Sequence, residues 1–259
     1  MLFQFCVLIR AGGDQLDSGR RNIIRLCSSA LSLLTISPGL LAAPSRPIRK
    51  FKPVLLTDAY HKPLQCEKLR AESEYIFHYP FKSTPCFLID LGKPVNGGQE
   101  LYTDAGERYV WKGGVGPGGS VVAFSAICAH RMTHPSPVVS FIGYRKQPVG
   151  YLTDQMEVKQ RAAVIQCCSE QSVYDPAQGA MVLGGPAPQP LAAIELDYRD
   201  NGEIYATGVY GGNMFDKYFE KFGDRLMIEY ESLDYRDEVA NESVVEPLER
   251  FTRRKIECS

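Results

Sequence analysis

The chain has 259 residues, a formal net charge of −1, 44% hydrophobic residues and 23% charged residues. This length supports one substantial core, and the near-neutral charge argues against a nucleic-acid partner. The eight cysteines are too dilute for a disulfide-rich miniprotein, and no Cys-x-x-Cys pair suggests a zinc ribbon. The 17 prolines and 23 glycines are scattered, which favours short strands and turns over long helices.

The N-terminal region resembles a twin-arginine export signal. Arg20 and Arg21 precede an apolar run that ends in small residues at Ala43. We therefore predict that residues 1–43 are an export leader, which places the protein in the periplasm, or a membrane anchor that holds it facing the periplasm. The anchor alternative stays open because the apolar run approaches the about 20 residues that span a bilayer. Residues 44–53, PSRPIRKFKP, are basic and contain prolines, which predicts a linker.

Beyond the linker, the sequence predicts short strands. The segments EYIFHYPF and CFLIDLG are apolar runs bounded by proline or glycine. The segment RYVWKGGVGPGGSVVAFSAICAH reads as a strand, a glycine-rich turn and a strand that leads into Cys128, and RAAVIQCC leads a further strand into Cys167 and Cys168. The segment LAAIELDYRDNGEIYATGV predicts a hairpin. From Asn213 to Phe222, apolar residues recur at helical spacing.

Two of these strands end in potential metal ligands. The first gives Cys128-Ala129-His130, and the second gives Cys167-Cys168, followed by Ser172-Val173-Tyr174-Asp175 and GGPAPQPL. This order resembles the Rieske [2Fe–2S] domain, whose pattern is Cys-x-His, then Cys-x-x-His, then Ser-x-Tyr-Asp and a Gly-Pro-Ala-Pro loop. The resemblance covers roughly residues 110–210 and implies an all-β fold, a Rieske-type antiparallel β-sandwich with a small cluster-binding subdomain.

The resemblance also implies a domain organisation. We predict a Rieske-like domain over residues 54–212, followed by a partly helical C-terminal extension over residues 213–259. The cluster loops would be 128–134 and 167–175, and the proline-rich loop 184–190 would cover the cluster. The segment between the two cluster motifs is longer than in most family members, so residues 131–163 are predicted to be an insertion beside the site.

The implied cofactor is a [2Fe–2S] cluster, in which two thiolates hold one iron and two imidazoles hold the other. Replacing two thiolates by neutral imidazoles raises the reduction potential of the cluster. By the resemblance, Ser172 and Tyr174 donate hydroxyl hydrogen bonds to cluster sulfurs, and Gly185 and Pro186 belong to the covering loop. Cys128 and His130 are the predicted ligands from the first loop.

The second loop lacks the expected histidine. Read without a gap from Ser172, its motif is Cys167-x-x-Glu170, and with one residue deleted it is Cys168-x-x-Gln171. We favour Cys168 and Gln171 as the metal ligands, because glutamine is one base away from histidine in the genetic code. The register with Glu170 stays open, and its carboxylate would add negative charge and lower the potential. His134 is a third candidate.

The resemblance also bears on disulfides. Respiratory members of the family join the two cluster loops through an extra cysteine in each loop, but Thr133 stands at the first of these positions. That bridge is therefore excluded. Cys66, Cys86 and Cys258 remain as cysteines that could pair after export, and the sequence does not fix their partners.

These features predict an electron-transfer protein, or a subunit of an extracytoplasmic redox complex, with an altered or incomplete cluster site. Its partner would be a redox protein or a larger oxidoreductase subunit, as in arsenite oxidase, and the chain would not be a stand-alone enzyme. The missing second-loop histidine argues against quinol oxidation. The alternative is a cluster-free Rieske-fold protein with a structural or binding role. A Rieske oxygenase is set aside because only His61 and His78 remain for a second iron site.

Overall fold

Residues 48–258 are described by a computed structural model, and they form sixteen short strands and one long helix. The predicted leader lies outside these residues. In chain order the strands are β1 (Arg49–Thr57), β2 (Ser73–His78), β3 (Pro85–Asp90), β4 (Asn96–Tyr102), β5 (Arg108–Gly113), β6 (Val121–Ser125), β7 (Ile142–Arg145), β8 (Val149–Leu152), β9 (Val158–Arg161), β10 (Val164–Cys167), β11 (Ser172–Asp175), β12 (Met181–Gly184), β13 (Ile194–Tyr198), β14 (Ile204–Val209), β15 (Glu242–Val244) and β16 (Glu246–Pro247). The long helix is α1 (Met214–Glu229), and a single helical turn follows at Leu248–Phe251. No helix within residues 48–258 has the length and apolar character to cross a bilayer.

The strands assemble into three four-stranded sheets and two separate hairpins. The first sheet has the order β13-β14-β1-β15, and the second has the order β16-β2-β3-β6. The third sheet, β12-β11-β10-β7, carries the second candidate loop at the β10–β11 turn. The hairpins are β4–β5 and β8–β9, and all pairings except that of β1 with β15 are antiparallel. The predicted all-β class with a helix in the C-terminal part is confirmed.

The core lies around the second sheet. Strand β6 is buried along its whole length, and β3 is buried except at Asp90. Continuous burial rather than alternation means that both faces of these strands are covered by other elements. A bridge between Phe124 of β6 and Ala193 connects the second sheet to the start of β13. Because β6 is held on both faces, the loop that follows it, which begins at Ala126, has a fixed starting point.

The sequence located several of these elements correctly. The predicted turn GGVGPGG lies between β5 and β6, and the predicted hairpin is β13–β14, paired through five registered positions with one bulge. The helix predicted from Asn213 begins at Met214 but continues past Phe222 to Glu229. Its buried side chains are Met214, Phe215, Tyr218, Phe219 and Leu226, which form the single apolar stripe expected of an amphipathic helix.

The prediction of a linker over residues 44–53 is wrong for its second half. Residues from Arg49 onward form β1, which pairs with β14 on one side and β15 on the other. Pro53 is tolerated in this strand because the register with β14 shifts between Lys50 and Val54, and a proline at a bulge does not remove a ladder hydrogen bond. Val54 and Leu56 then enter the core.

The C-terminal extension predicted from residue 213 is not a separate appendage. Strand β15 pairs with β1 and strand β16 pairs with β2, so residues 242–247 complete two sheets. Farther on, the backbone of Ser140 donates to Arg254 O at 2.9 Å and accepts from Ile256 N at 2.8 Å. The last described residues therefore lie along the segment that precedes β7, inside the predicted insertion.

The predicted insertion over residues 131–163 forms part of the third sheet and the β8–β9 hairpin. Its strand β7 pairs with β10 from Val164↔Arg145 to Cys167↔Ile142. The β8–β9 hairpin approaches the proline-rich loop, since Gly185 N donates to Leu152 O at 3.3 Å. The insertion thus flanks both the second candidate loop and the loop that covers it.

Candidate metal centre

The first candidate loop is a tight turn that follows β6. Cys128 N donates to Thr133 O at 2.8 Å, and Met132 N donates to Cys128 O at 2.9 Å. Met132 adopts a left-handed conformation with φ of 59°, which closes the turn. The side chain of Cys128 is fully buried, whereas that of His130 is 26% exposed. The turn therefore holds the thiol on the inner side and the imidazole on the outer side.

The second candidate loop is the four-residue tip of the β10–β11 hairpin. Cys167 is registered opposite Ser172, which leaves residues 168–171 as the tip. Successive side chains of a strand point to opposite faces, so Cys167 and Cys168 face different ways. Cys167 is fully buried on the side of Cys128. The tip turns back at Gln171, which has φ of 59°.

The two loops bring the thiols of Cys128 and Cys167 together. The two thiols interact with each other, and neither is part of a disulfide. This contact is the main cause that lowers the pKa of the Cys128 thiol to about 6, against the opposing effect of burial. The same contact, with burial, raises the pKa of Cys167. The contact therefore favours negative charge on the sulfur of Cys128.

Tyr174 contacts this pair from β11. Its hydroxyl oxygen accepts from Ala129 N at 3.2 Å and lies 3.2 Å from Cys128 Sγ. Because the backbone N–H occupies the acceptor side, the phenol hydrogen is free to donate to the sulfur. Tyr174 is fully buried, so both contacts are shielded from water.

A histidine nitrogen and a carboxylate oxygen lie close together on the outer side of the site. His130 Nδ1 is 3.4 Å from Glu170 Oε2, and Glu170 Oε1 is 3.9 Å from Arg131 Nη1. The Nδ1 atom is buried and makes no hydrogen bond to any described residue. The side chain of Glu170 is 20% exposed. The hairpin tip thus presents a carboxylate where the family pattern has an imidazole.

Cys168 and Gln171, the ligands favoured from the sequence, are not brought to this site. Cys168 forms a disulfide with Cys258, with a Cα–Cα distance of 5.1 Å, on the face of the hairpin opposite Cys167. Gln171 is exposed, and its Nε2 donates to Cys168 O at 3.2 Å. The geometry therefore favours the register Cys167-x-x-Glu170, which the ungapped reading from Ser172 had left open.

His134 is also placed away from the thiol pair. Its Nδ1–H donates to Met132 O at 2.9 Å, and its ring packs edge-on against Tyr218 and Phe222 of α1 at 5.0 and 5.1 Å between ring centroids. The Nε2 atom is buried without a hydrogen-bond partner among residues 48–258. His134 is therefore a packing residue between the first loop and the helix.

The covering loop needs glycine at Gly185. This residue has φ of +87°, and a Cβ atom there would collide with Gln171 O and Ser172 Cα. The loop therefore approaches the hairpin tip more closely than a side chain allows. Pro186, the next residue, is exposed. Ser172 is fully buried, and its Oγ has no hydrogen-bond partner in the described part of the chain, which leaves a hydroxyl available for an acceptor.

The donor atoms fit a two-iron cluster better than a single metal ion. No group of three or more His, Cys, Asp or Glu side chains within residues 48–258 is arranged around one ion. A [2Fe–2S] cluster, however, needs only two protein ligands on each iron. The structure supplies two such pairs, the thiols of Cys128 and Cys167 and the nitrogen and oxygen of His130 and Glu170. The orphaned His130 Nδ1 and Ser172 Oγ are consistent with this fit.

Known proteins similar to this chain include a reductase subunit and a Rieske protein. The chain matches no protein-family model. It is 26% identical over 200 residues, 77% of this chain and 85% of the relative, to iodate reductase subunit IdrB of Denitromonas iodatirespirans. The chain has a Rieske-like fold. The soluble domain of Rieske protein II from Sulfolobus acidocaldarius is 32% identical over 53% of this chain and 68% of that chain, with a TM-score of 0.37.

Two features of this Rieske-like fold were not identified from the sequence. Cys258 is the partner of Cys168 across 90 residues of chain, and no local signal links these positions. Arg145 lies beside this bridge, since its Nη2 is 3.2 Å from Cys168 Sγ and also donates to Ile256 O. The bridge therefore fastens the hairpin to the C-terminal segment instead of to the first loop.

We expect Tyr174→Phe to lower the free energy of unfolding by about 1–2 kcal/mol, because it leaves the buried Ala129 N–H without an acceptor. In cluster-loaded protein it should also lower the reduction potential, since a hydrogen bond to sulfur is lost. Urea unfolding and redox titration measure the two effects. Tyr60→Phe is the control, because this ring is 82% exposed. Equal stability of the Tyr174 and Tyr60 variants would show that the buried contacts contribute nothing.

His134 should make the stability of the folded protein depend on pH. Burial, with a smaller contribution from Arg225, lowers the pKa of this imidazole to about 4. The unfolded chain binds a proton near pH 6.5 but the folded chain does not, so stability falls as the pH drops from 6.5 towards 4. Between pH 7 and pH 5, the free energy of unfolding should fall by about 2 kcal/mol less in His134→Phe than in the wild type, as measured by urea unfolding. A pH slope for His134→Phe parallel to that of the wild type would refute the assignment.

Proposed function

We propose that this chain is a Rieske-type [2Fe–2S] electron-transfer subunit of an extracytoplasmic oxidoreductase complex, with an altered cluster site. The observation that carries the proposal is the meeting of Cys128 and Cys167. Two loops from different sheets bring these thiols into contact inside the protein, and they remain unbridged. A buried, unoxidised thiol pair beside an imidazole whose Nδ1 makes no hydrogen bond is a donor set for iron.

The residues of the chain have separate tasks in this proposal. Cys128 and Cys167 would hold the inner iron, and His130 would bind the outer one through Nδ1. Tyr174 donates to the sulfur of Cys128 and so stabilises negative charge there. Gly185 lets the covering loop lie against the hairpin tip at Gln171 and Ser172. When bound, the cluster takes up and releases one electron at a time.

The exposed edge of the site indicates where electrons would leave. The thiols are fully buried, whereas His130 and Glu170 are 26% and 20% exposed. A partner protein can approach the outer side of the site more closely than the inner side. The relative named above, an iodate reductase subunit, supports a larger oxidoreductase as the partner. The chain itself would carry electrons and would not bind the substrate.

Export across the inner membrane is part of the proposal. The twin-arginine motif favours a route that carries folded proteins. The disulfide between Cys168 and Cys258 is independent support, because structural disulfides persist in oxidising compartments such as the periplasm. Release from the membrane and tethering by the N-terminal segment remain alternative outcomes of the same export.

The test is the metal content of the exported chain. The chain should be purified from the periplasm or membrane of a host with a functional twin-arginine pathway, with the leader intact at the start. We expect about two iron and two acid-labile sulfide per chain, and a rhombic EPR signal after reduction. A colourless, iron-free chain that is folded would overturn the proposal. It would favour the cluster-free alternative, in which the missing imidazole and the contact between the thiols reflect a structural role.

A further inference from the structure

We infer that Glu170 supplies the fourth cluster ligand through Oε2, so that one iron is held by an imidazole and a carboxylate. This inference rests on the proposed function, because it requires a bound cluster. It goes beyond that function by naming the residue that takes the place of the missing histidine. It also predicts an Fe–S site with a single nitrogen ligand.

The spacing of His130 and Glu170 fits two ligands of one metal better than a hydrogen bond. The 3.4 Å between Nδ1 and Oε2 exceeds the usual range for an N–H···O hydrogen bond, and Nδ1 makes no such bond. Nitrogen and oxygen ligands about 2.0–2.2 Å from a tetrahedral metal lie about 3.3–3.5 Å apart. The observed distance, which is also that of an ion pair, matches an edge of such a tetrahedron.

The other oxygen of Glu170 already has partners. Oε1 accepts from Ser169 Oγ at 3.3 Å and lies 3.9 Å from Arg131 Nη1. These contacts fix the carboxylate so that Oε2 is the oxygen turned towards His130. Arg131 also offsets part of the negative charge that a carboxylate adds to the site. Arg131 lies next to His130 in the first loop.

The other candidate metal ligands are engaged in contacts elsewhere in the fold. Cys168 is in the disulfide, and the amide of Gln171 donates to Cys168 O at the exposed side of the hairpin. His134 is held between Met132 and α1. None of the three can reach the outer side of the site without breaking a contact that the fold makes. Glu170 reaches it without any rearrangement.

The consequence is a cluster with more negative charge than one held by two imidazoles. A carboxylate ligand stabilises the oxidised irons and lowers the reduction potential. A neutral ligand at the same position should therefore raise it. Gln171 is adjacent in sequence but faces solvent, so it provides a matched control for any histidine introduced at the hairpin tip.

The experiment is pulsed EPR of the reduced, exported protein, with redox titration. We expect one strongly coupled ¹⁴N in the wild type, two in Glu170→His, and one in Gln171→His. The potential should rise in Glu170→His and stay at the wild-type value in Gln171→His. Glu170→Ala should lose most of its iron or change its g values, while its unfolding in urea stays cooperative.

The outcomes separate the inference from the function. A loaded wild type with two coupled nitrogens, or a Glu170→Ala variant with an unchanged spectrum and full iron, would overturn the role of Glu170 and leave the proposed function standing. A new nitrogen coupling in Gln171→His instead of Glu170→His would also overturn it. If neither the wild type nor Glu170→His binds a cluster, the proposed function itself fails. A cluster that appears only in Glu170→His would overturn both.

Discussion

Replacing Cys168 and Cys258 together by serine should lower the free energy of unfolding by about 2–4 kcal/mol. The bridge closes a loop of 90 residues, for which chain entropy alone gives about 4–5 kcal/mol. The effect should fall below that limit because the C-terminal segment keeps its backbone bonds to Ser140. The measurement is urea unfolding of both proteins under oxidising conditions, repeated with reductant.

The control for this prediction lies in the same protein. Reductant should bring the wild type down to the stability of the double variant and leave the variant unchanged. The double variant should also keep its iron, because neither cysteine faces the thiol pair. Equal stability of the oxidised wild type and the variant would mean that the C-terminal segment holds the hairpin without the bridge.

Replacing either Cys128 or Cys167 by alanine should abolish cluster binding. Each would remove one of the two sulfur ligands of the inner iron, and the remaining thiol cannot hold it alone. Because a ligand that binds only the folded state stabilises it, both variants should also unfold at lower urea concentration than the loaded wild type. Iron analysis, the visible spectrum and urea unfolding measure the outcome.

Cys66→Ala is the matched control, since Cys66 is another buried thiol outside any disulfide in the described residues. It should keep about two iron per chain. The comparison also decides the register of the second loop. If Cys167→Ala retains iron while Cys168→Ala loses it, the hairpin tip is shifted by one residue from the structure, and the ligand set given above is wrong.

The sequence located the two loops but not the side chains that they present. The order of Cys128, His130, the Cys167-Cys168 pair and Tyr174 predicted two loop tips that meet. The structure places the Tyr174 hydroxyl beside Cys128, and its hydrogen bond to a cluster sulfur stays a prediction. The choice between Cys167 and Cys168 needs the pairing of β10 with β11. A slip of one residue turns every side chain of a strand to the other face, and a sequence with two adjacent cysteines satisfies either register.

Local pattern was thus sufficient for strands, the β13–β14 hairpin and the apolar stripe of α1, because each depends on residues close in the chain. It was insufficient for β1, whose partners β14 and β15 lie far along the chain, so that residues 49–53 resembled a linker. The disulfide partner of Cys168 and the contact of the Glu170 carboxylate with His130 also depend on residues that are far apart in the chain. Such contacts are decided only when distant strands come together, because their free energy depends on tertiary packing and not on local preference.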